Sequence, residues 1–541
     1  MSRNFLIQKS MKNVKVFITT LAFVGWNGNV VAQDTIQFTW QAQGVKSVVI
    51  KAMESENFTI DWGDGSVIET KTGEGDYYFF DYEYGKVTLS HTYTILATYT
   101  VTITAANINC DFIFFHSQYN HLDSLHINCP NLWFLDCSNS QLQSLDLNGC
   151  SSLWELHCSS NQLYSLDLGN CPYLLNLNCS YNQLQNLDVS DCLILSYLEC
   201  QDNQLSNLDV SGCSILKWLR CDENQLVSLD FSGCTDLEFL SCYNNQLSNL
   251  NLNDCPNLEE LDCGGNQLVN IDLSGIPNLL TLSCGANQLS DLDLSSIPNL
   301  ERLMCNYNQL VSLDLSSTPN LLQLEFDYNQ LQILDISTCP FLSYLSCRSN
   351  QLPLSDLFAA SEIISNPSIN FFPGTQYLSP PNVDVGIPLF AEQSIFKGIY
   401  TRYIVIDNIN LSTATADDCS IIDGVITFHK KGIYWVSMTN DAISSYFLTP
   451  PIVEVVINVG NVGIVETGNY PPLRIYPNPT TGQLKIENGE LKVANYTIYN
   501  IIGQTVLQGK AQNNLPINVE SLASGMYYLK IAEKTVKFVK E

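Results

Sequence analysis

The sequence predicts a mainly β protein, with a solenoid of about 12 turns flanked by smaller β-sandwich modules. The first observation is a 21-residue period between Phe112 and Leu357, in which Leu, Cys and Asn recur at fixed positions. The second is a series of short β-branched and aromatic runs, separated by turn residues, on both sides of the repeats. One such turn cannot bury its leucines alone, so the turns are expected to stack.

A representative turn has the pattern Leu153-x-x-Leu156-x-Cys158-x-x-Asn161-x-Leu163-x-x-Leu166-Asp167-Leu168-x-x-Cys171. This pattern resembles that of the leucine-rich repeat family over residues 108–357. Leu156-x-Cys158 is predicted to form a strand on one face of the stack. Leu166-Asp167-Leu168 is predicted to form a second short strand on the other side, where many members of the family carry a helix.

An asparagine recurs once per turn, at positions 161, 182, 203, 224, 245, 266, 287, 308, 329 and 350. A buried side chain that both donates and accepts hydrogen bonds suits a backbone turn that every repeat shares. We therefore expect these asparagines to be structural. Losing one such partner is expected to cost about 1–3 kcal/mol.

The chain has 20 cysteines, and most of them occupy two columns of the repeat. Phe326 and Ile276 stand at cysteine positions in other turns, so the columns require compact apolar side chains. Parallel neighbours about 4.8 Å apart are poorly placed for disulfides. Free cysteine acting as a small hydrophobe is favoured over disulfides. A metal site is disfavoured because no Cys-x-x-Cys pair is present.

The first 107 residues are predicted to contain an export signal and one module. Residues 1–32 carry lysines before the apolar run 16–24 and then small residues, which is typical of a signal peptide. Residues 33–107 contain Trp62-Gly-Asp-Gly65, His91-Thr-Tyr93 and Tyr99-Thr-Val-Thr-Ile103, and resemble a PKD-like β-sandwich. Asp61 and Asp64 are candidate cation ligands, but turn formation is the favoured interpretation.

Two further modules follow the repeats. Residues 358–460 are predicted to form an immunoglobulin-like sandwich, because short β runs follow a proline-rich linker or loop at 366–381. Residues 461–541 contain a Tyr-Pro-Asn-Pro opening at 476–479, a central Tyr-Asn-x-x-Gly-Gln and a late Leu-x-x-Gly-x-Tyr-x-Leu. They resemble the C-terminal sorting domains of the type IX secretion system of Bacteroidota. That resemblance implies contact with the secretion machinery and a secreted or outer-surface location.

Composition argues against several functions. A net charge of −30 disfavours nucleic acid and anionic lipid as partners. No apolar run after residue 32 is long enough to cross a membrane as a helix. No catalytic motif is recognisable, so the sequence predicts no enzyme, no catalytic residue, no metal and no cofactor.

One aspartate column is predicted to face outward on the side away from the main strands: Asp146, Asp167, Asp188, Asp209, Asp230, Asp272, Asp293, Asp314, Asp335 and Asp356. Repulsion between close carboxylates predicts that some hold protons or attract cations such as calcium. A solvated strip that protects strand edges is the favoured alternative.

The residues on either side of each strand leucine are expected to face outward. On three consecutive turns they place Tyr197, Trp218 and Phe239 together, with Arg220 beside them and Tyr243 on the adjoining edge. Aromatic and arginine side chains are enriched at binding hot spots. The sequence thus predicts a protein or glycan ligand at these five residues and a role in adhesion. The alternative is a surface scaffold or spacer without a specific ligand.

Overall fold

The computed structural model describes residues 33–74, 86–107, 110–117, 121–364, 370–379, 381–408, 411–443, 450–460, 474–476, 483–487, 494–500, 505–511, 516–523, 525–531 and 534–540. The predicted signal peptide and residues 461–473 lie outside these ranges. The chain divides into two compact units, residues 1–308 and 309–541, each of which is described by itself. In the described part, no helix combines the length and the apolar character needed to cross a membrane.

The first unit begins with long antiparallel strands: β1 (Thr35–Ala52), β2 (Asn57–Asp61), β3 (Glu69–Thr72), β4 (Val87–Ala105), β5 (Phe112–His116) and β6 (Leu122–Asn128). Every second side chain of the first half of β1, including Phe38 and Trp40, is fully buried. Strand β1 pairs with β4 on one edge and with β5 and β6 on the other. Residues 33–107, predicted as a separate sandwich, therefore share a sheet with the start of the repeats.

The repeats of this unit form a ladder of three-residue parallel strands: β7 (Phe134–Asp136), β9 (Glu155–His157), β10 (Asn176–Asn178), β11 (Tyr197–Glu199), β13 (Trp218–Arg220), β15 (Phe239–Ser241), β16 (Glu260–Asp262), β17 (Thr281–Ser283) and β18 (Arg302–Met304). The central leucine of each is buried. The second unit contributes β19 (Gln323–Glu325) and β20 (Tyr344–Ser346). Eleven such strands give about 11 turns, close to the number predicted.

The asparagine column is buried, as predicted. Asn182 is 9% exposed, and its Nδ2 donates to the carbonyl oxygens of Cys158 and Cys179, both at 3.0 Å. Its Oδ1 accepts a hydrogen bond from the backbone N–H of Leu163 at 3.0 Å. The residue before it, Tyr181, has a φ of 55°. Each asparagine thus closes its own turn and binds the turn before it.

The second strand predicted at Leu166-Asp167-Leu168 is wrong for this turn and for most others. After β6, whose His126 is in register with Asp146, strands on this side occur in the described residues only at β8 (Asp146–Gly149), β12 (Leu208–Asp209) and β14 (Leu229–Asp230). At the predicted position, Asp167 Oδ1 accepts a hydrogen bond from the backbone N–H of Gly169 at 3.0 Å. This local side-chain bond turns the chain. Asp146, Asp209 and Asp230 form the same bond in β8, β12 and β14, so the bond alone does not decide whether a strand forms.

All 20 cysteines are free and buried, which confirms the interpretation of their columns. Cys158, Cys200 and Cys221 are completely buried in the strand column. Burial raises the pKa of each of these thiols well above its usual value. In the described residues no group of three or more His, Cys, Asp and Glu side chains is arranged to hold a metal ion.

In the second unit the repeats end in helix α1 (Leu354–Ile363), which the sequence analysis missed and which crosses the boundary predicted at residue 357. The predicted linker or loop at 366–381 is wrong where β21 (Phe371–Phe372) pairs with β20 and where β22 (Thr375–Leu378) pairs with the later strand Ile452–Val459. Gln376 is fully buried because it replaces the repeat asparagine. Its Nε2 donates to Cys347 O at 2.7 Å, and its Oε1 accepts from the N–H of Leu352 at 3.3 Å.

The module after α1 contains β23 (Asn382–Val383), β24 (Pro388–Leu389), a 3-10 turn (Ala391–Gln393), β25 (Ile395–Phe396), β26 (Ile399–Tyr400), β27 (Arg402–Asp407), β28 (Ser412–Thr413), β29 (Cys419–Ile422), β30 (Val425–Phe428), β31 (Gly432–Thr439) and β32 (Ile452–Val459). One sheet has the order β22-β32-β31-β27-β28, and a second has the order β24-β30-β29. Val436 and Ile457 are fully buried.

The last residues form two further sheets from β33 (Arg474–Tyr476), β34 (Gln483–Glu487), β35 (Ala494–Asn500), β36 (Thr505–Ala511), β37 (Ile517–Asn518), β38 (Gly525–Ile531) and β39 (Lys534–Lys540). The sheet orders are β33-β34-β37 and β36-β35-β38-β39. Leu484, from the first sheet, belongs to one buried cluster with Ile498, Leu529 and Phe538 from the second. The two sheets therefore share an apolar core.

Candidate functional site

The candidate site lies on β11, β13 and β15, three neighbouring strands of the first unit. Tyr197 is in register with Trp218, and Trp218 with Phe239. Because side chains alternate along a strand, burying the central leucine turns the residues on both sides of it toward the opposite face. The structure thus places the three predicted aromatic side chains in one column.

The aromatic side chains are half-buried, which corrects the prediction that they are exposed. The rings of Trp218 and Phe239 are stacked, with centroids 3.7 Å apart and an angle of 5° between their planes. Each ring covers a face of the other, so part of the expected exposure is lost. Trp218 Nε1 is buried and has no hydrogen-bond partner in the described structure. Packing, rather than a polar contact, holds the indole ring in place.

Arg220 is held by a residue that the sequence analysis missed. Its Nε donates to Asp222 Oδ2 at 3.1 Å, and its Nη2 lies 3.1 Å from the same oxygen in an ion pair. Asp222 Oδ1 accepts a hydrogen bond from Ser241 Oγ and another, of 3.1 Å, from the N–H of Tyr243. The Asp222 side chain is only 8% exposed, whereas that of Arg220 is 41% exposed. The guanidinium group is therefore accessible, but its charge is already paired.

Tyr243 is on the adjoining edge, as predicted, and is 44% exposed. Its link to the other site residues runs through its backbone N–H, which binds Asp222. A Cβ atom on Gly264 would lie 3.2 Å from Tyr243 Cδ2, and one on Gly265 would lie 3.4 Å from Cε2. The two glycines of the next turn therefore leave room for the tyrosine ring.

Carboxylates surround the aromatic column. Glu199 Oε2 accepts a hydrogen bond from Asn178 Nδ2 at 2.6 Å, and Glu260 is exposed and in register with Phe239. Burial raises the pKa of Asp262, and the charge of Asp222 adds to this rise. With Asp222 there are four carboxylates and one guanidinium, a balance of −4 + 1 = −3. The sequence predicts the aromatic column as the site, but residue type alone does not single out the acidic groups around it.

The aspartate column on the other side has a structural explanation. Asp188 Oδ1, for example, accepts a hydrogen bond from the backbone N–H of Ser190 at 3.0 Å. Hydrogen bonds of this kind lower the pKa of Asp188, Asp230, Asp272, Asp293 and Asp335. The expectation that some of the column holds protons is therefore wrong for these five. Asp356 differs, because it lies in helix α1 and its Oδ2 accepts from the N–H of Leu334 at 2.9 Å.

Asp61 and Asp64 also form turns, which was the favoured interpretation. Asp61 Oδ1 accepts from the N–H of Gly63 at 2.9 Å, and Asp64 Oδ1 accepts from that of Ser66 at 3.0 Å. Asp64 Oδ2 lies 2.7 Å from His91 Nε2. The His91 ring stacks on that of Trp62 with centroids 5.0 Å apart. The Trp-Gly-Asp-Gly turn is thus fixed to β4.

Two segments of the chain match known families. Residues 474–541 match the family described as a secretion system C-terminal sorting domain. Residues 256–297 match the family described as leucine-rich repeats, in two copies. The presence of leucine-rich repeats and of a C-terminal sorting domain is thereby confirmed. The sorting domain indicates a secreted or cell-surface protein.

The solved structures that resemble the chain include two bacterial proteins. The functional domain of InlJ from Listeria monocytogenes, described as including a cysteine ladder, is 23% identical with a TM-score of 0.50, and the match covers 61% of this chain and 72% of that one. YopM from Yersinia enterocolitica is 23% identical with a TM-score of 0.34, over 49% of this chain and 68% of that one. The first likeness shows the fold alone. No curated protein matches the chain in sequence.

Proposed function

On the premise of a secreted or cell-surface protein with leucine-rich repeats, we propose that it binds a protein or glycan ligand through its main strand ladder and acts in adhesion. Tyr197, Trp218, Arg220, Phe239 and Tyr243 form the proposed site. The stacked Trp218–Phe239 pair carries the proposal, because two large aromatic rings are kept half-exposed at the middle of a polar ladder. Tryptophan and tyrosine are enriched among the residues that contribute most to binding at protein interfaces.

The proposal also assigns a signal peptide, two flanking modules and a secretion route. Residues 1–32 would be the signal peptide, residues 33–107 a PKD-like module and residues 358–460 an immunoglobulin-like module. The route would be the type IX system of Bacteroidota, with residues 461–541 as the segment that its machinery reads. Catalysis forms no part of the proposal, because no catalytic motif accompanies the aromatic column.

The proposal is tested by comparing Trp218→Ala with the full chain in a glycan-array screen and a protein pull-down. We expect ligands captured by the full chain to be lost or bound at least about tenfold more weakly by the variant. Tyr164→Ala is the matched control, because Tyr164 is 61% exposed and lies outside the proposed site. Circular dichroism checks that both variants fold.

Two results would contradict the proposal. One is a ligand that both variants retain equally. The other is a ligand that Tyr164→Ala loses and Trp218→Ala keeps. Either would leave the ladder as a scaffold without a ligand at this position.

A further inference from the structure

Two other aromatic pairs of the described structure are covered by cations. In the first unit, Phe114 and Phe134 are stacked with centroids 4.2 Å apart, and Lys86 Nζ lies 4.6 Å from the centroid of Phe114. In the second unit, Tyr344 lies 5.2 Å from Phe372, and Arg348 Cζ lies 5.2 Å from the centroid of Phe372. Each of these pairs is covered by a cation of the chain itself.

The Trp218–Phe239 pair differs from both. Within the described ranges no lysine or arginine lies over either ring. The two nearest basic residues along the chain are engaged, because Lys217 Nζ is 2.6 Å from Glu238 Oε1 and Arg220 is paired with Asp222. The negative quadrupole of these rings attracts a cation, and tryptophan attracts it most strongly. The pair therefore presents an uncovered cation-binding face.

The surrounding charges favour the same class of ligand. Glu260 extends the aromatic column by one turn, is exposed, and forms no ion pair with the described residues. Glu199 and Asp262 flank the column, and the five charged groups around it sum to −3. A neutral glycan would stack on the rings but would leave the Glu260 carboxylate without an opposite charge beside it. An acidic ligand would be repelled.

We infer that the stacked rings of Trp218 and Phe239, together with the Glu260 carboxylate, bind an arginine or lysine side chain of a basic segment in a partner protein. The inference rests on the proposed function and names its ligand class. The cation lies over the outer face of the Phe239 ring, on the side of the next turn, and its charge is paired by Glu260. Tyr197 extends the aromatic surface for the rest of the segment.

The probe is a fluorescein-labelled Gly-Ser peptide that contains two arginines, with a citrulline peptide as its neutral isostere. Binding to the full chain is followed by fluorescence anisotropy in 150 mM NaCl. We expect the arginine peptide to bind and the citrulline peptide to bind at least about tenfold more weakly, because only the former carries a cation.

Two variants each remove one interaction of the proposed site and replace the side chain with one of similar size. Phe239→Leu removes a ring, Glu260→Gln removes a charge, and each is expected to weaken arginine-peptide binding about fivefold or more. Asp293→Asn is the charge control, because Asp293 belongs to the opposite column and Asn251 forms the same turn naturally with Asn253 N–H at 3.2 Å. Its affinity is expected to stay within about twofold of the unaltered chain, since exposed distant charges are screened.

Equal weakening by Asp293→Asn and Glu260→Gln would overturn the inference, because it would show general attraction to an acidic protein. So would equal binding of the citrulline peptide, or no binding of the arginine peptide up to 1 mM. If a neutral glycan or another protein is then bound in a manner that Trp218→Ala abolishes, the proposed function stands and only its cationic ligand is wrong. If neither the arginine peptide nor any other ligand binds at these residues, both the proposed function and the inferred cationic ligand are refuted.

Discussion

The Oδ1 atom of Asn182 accepts a 3.0 Å hydrogen bond from the backbone N–H of Leu163, 19 residues earlier in the chain. The same side chain donates to two carbonyl oxygens, so it satisfies buried polar groups on two turns. Asn182→Ala is expected to lower the free energy of unfolding by about 2–4 kcal/mol, because more than one buried group loses its partner. Chemical denaturation measures the loss.

Asn186→Ala is the matched control, since this asparagine is exposed. Its effect is expected to stay within about 0.5 kcal/mol. Equal effects of the two substitutions would show that the column asparagines are not structural.

The burial of the cysteine columns predicts that their thiols do not react with thiol reagents while the chain is folded. Burial raises the pKa of thiols such as Cys200, and only an accessible thiolate attacks a thiol reagent. Titration with a thiol reagent is expected to detect almost none of the 20 cysteines before unfolding and all of them in denaturant without reductant. Fewer thiols in denaturant would reveal disulfides, and rapid reaction of the folded chain would contradict the burial.

The Asp64–His91 contact predicts a sensitivity to acid. Hydrogen bonds from Ser66 and His91 lower the pKa of Asp64 to about 2, below its ordinary 3.8. A group whose pKa is lowered by folding stabilises the fold above its unfolded pKa, and this contribution disappears as the pH falls through the folded pKa. Asp64→Asn is therefore expected to lower the Tm at pH 5 and to reduce the further fall between pH 4 and pH 2.

The exposed Asp123 provides the control for that titration. Asp123→Asn is expected to leave the pH dependence of the Tm close to that of the unaltered chain. An Asp64→Asn curve parallel to the unaltered one from pH 5 to pH 2 would show that the contact does not contribute to acid stability.

The aspartate column predicts little response to calcium. Each of Asp188, Asp209 and Asp230 uses one oxygen to bind the backbone N–H two residues later. Since no metal-holding group of side chains occurs in the described residues, the Tm in calcium chloride and in chelator should agree to within about 1 °C. A rise of several degrees with calcium would assign the column a metal.

Because Trp218 and Phe239 are stacked, we expect a substitution of either ring to lower the free energy of unfolding. A solvent-facing ring could be removed without cost, but stacked rings stabilise each other by about 0.5–1.5 kcal/mol beyond their burial. Phe239→Leu is therefore expected to cost about 1 kcal/mol in denaturant titration while the chain stays folded. A cost above about 4 kcal/mol would place the ring in the core instead.

The period of the sequence was enough to predict the ladder, because stacked identical turns allow few arrangements of Leu156 and Asn161. It could not predict the left-handed backbone before each asparagine, where Ser160, Tyr181 and Asp202 all have positive φ. The asparagine's bonds impose that conformation on different residue types. For the site, register placed the aromatic residues correctly. Their exposure and the pairing of Arg220 with Asp222 depend on side-chain packing, which spacing does not encode.

The asparagine bonds reach only from one turn to the next, as Asn182 does with Leu163 and Cys158. Deleting 21 residues that begin and end at the same position of the repeat would therefore restore every type of hydrogen bond at the new junction. The gene segment that encodes one 21-residue repeat can therefore be gained or lost without any change in the buried core of the other turns. The number of turns is thus free to vary under selection while the chemistry of each one stays fixed.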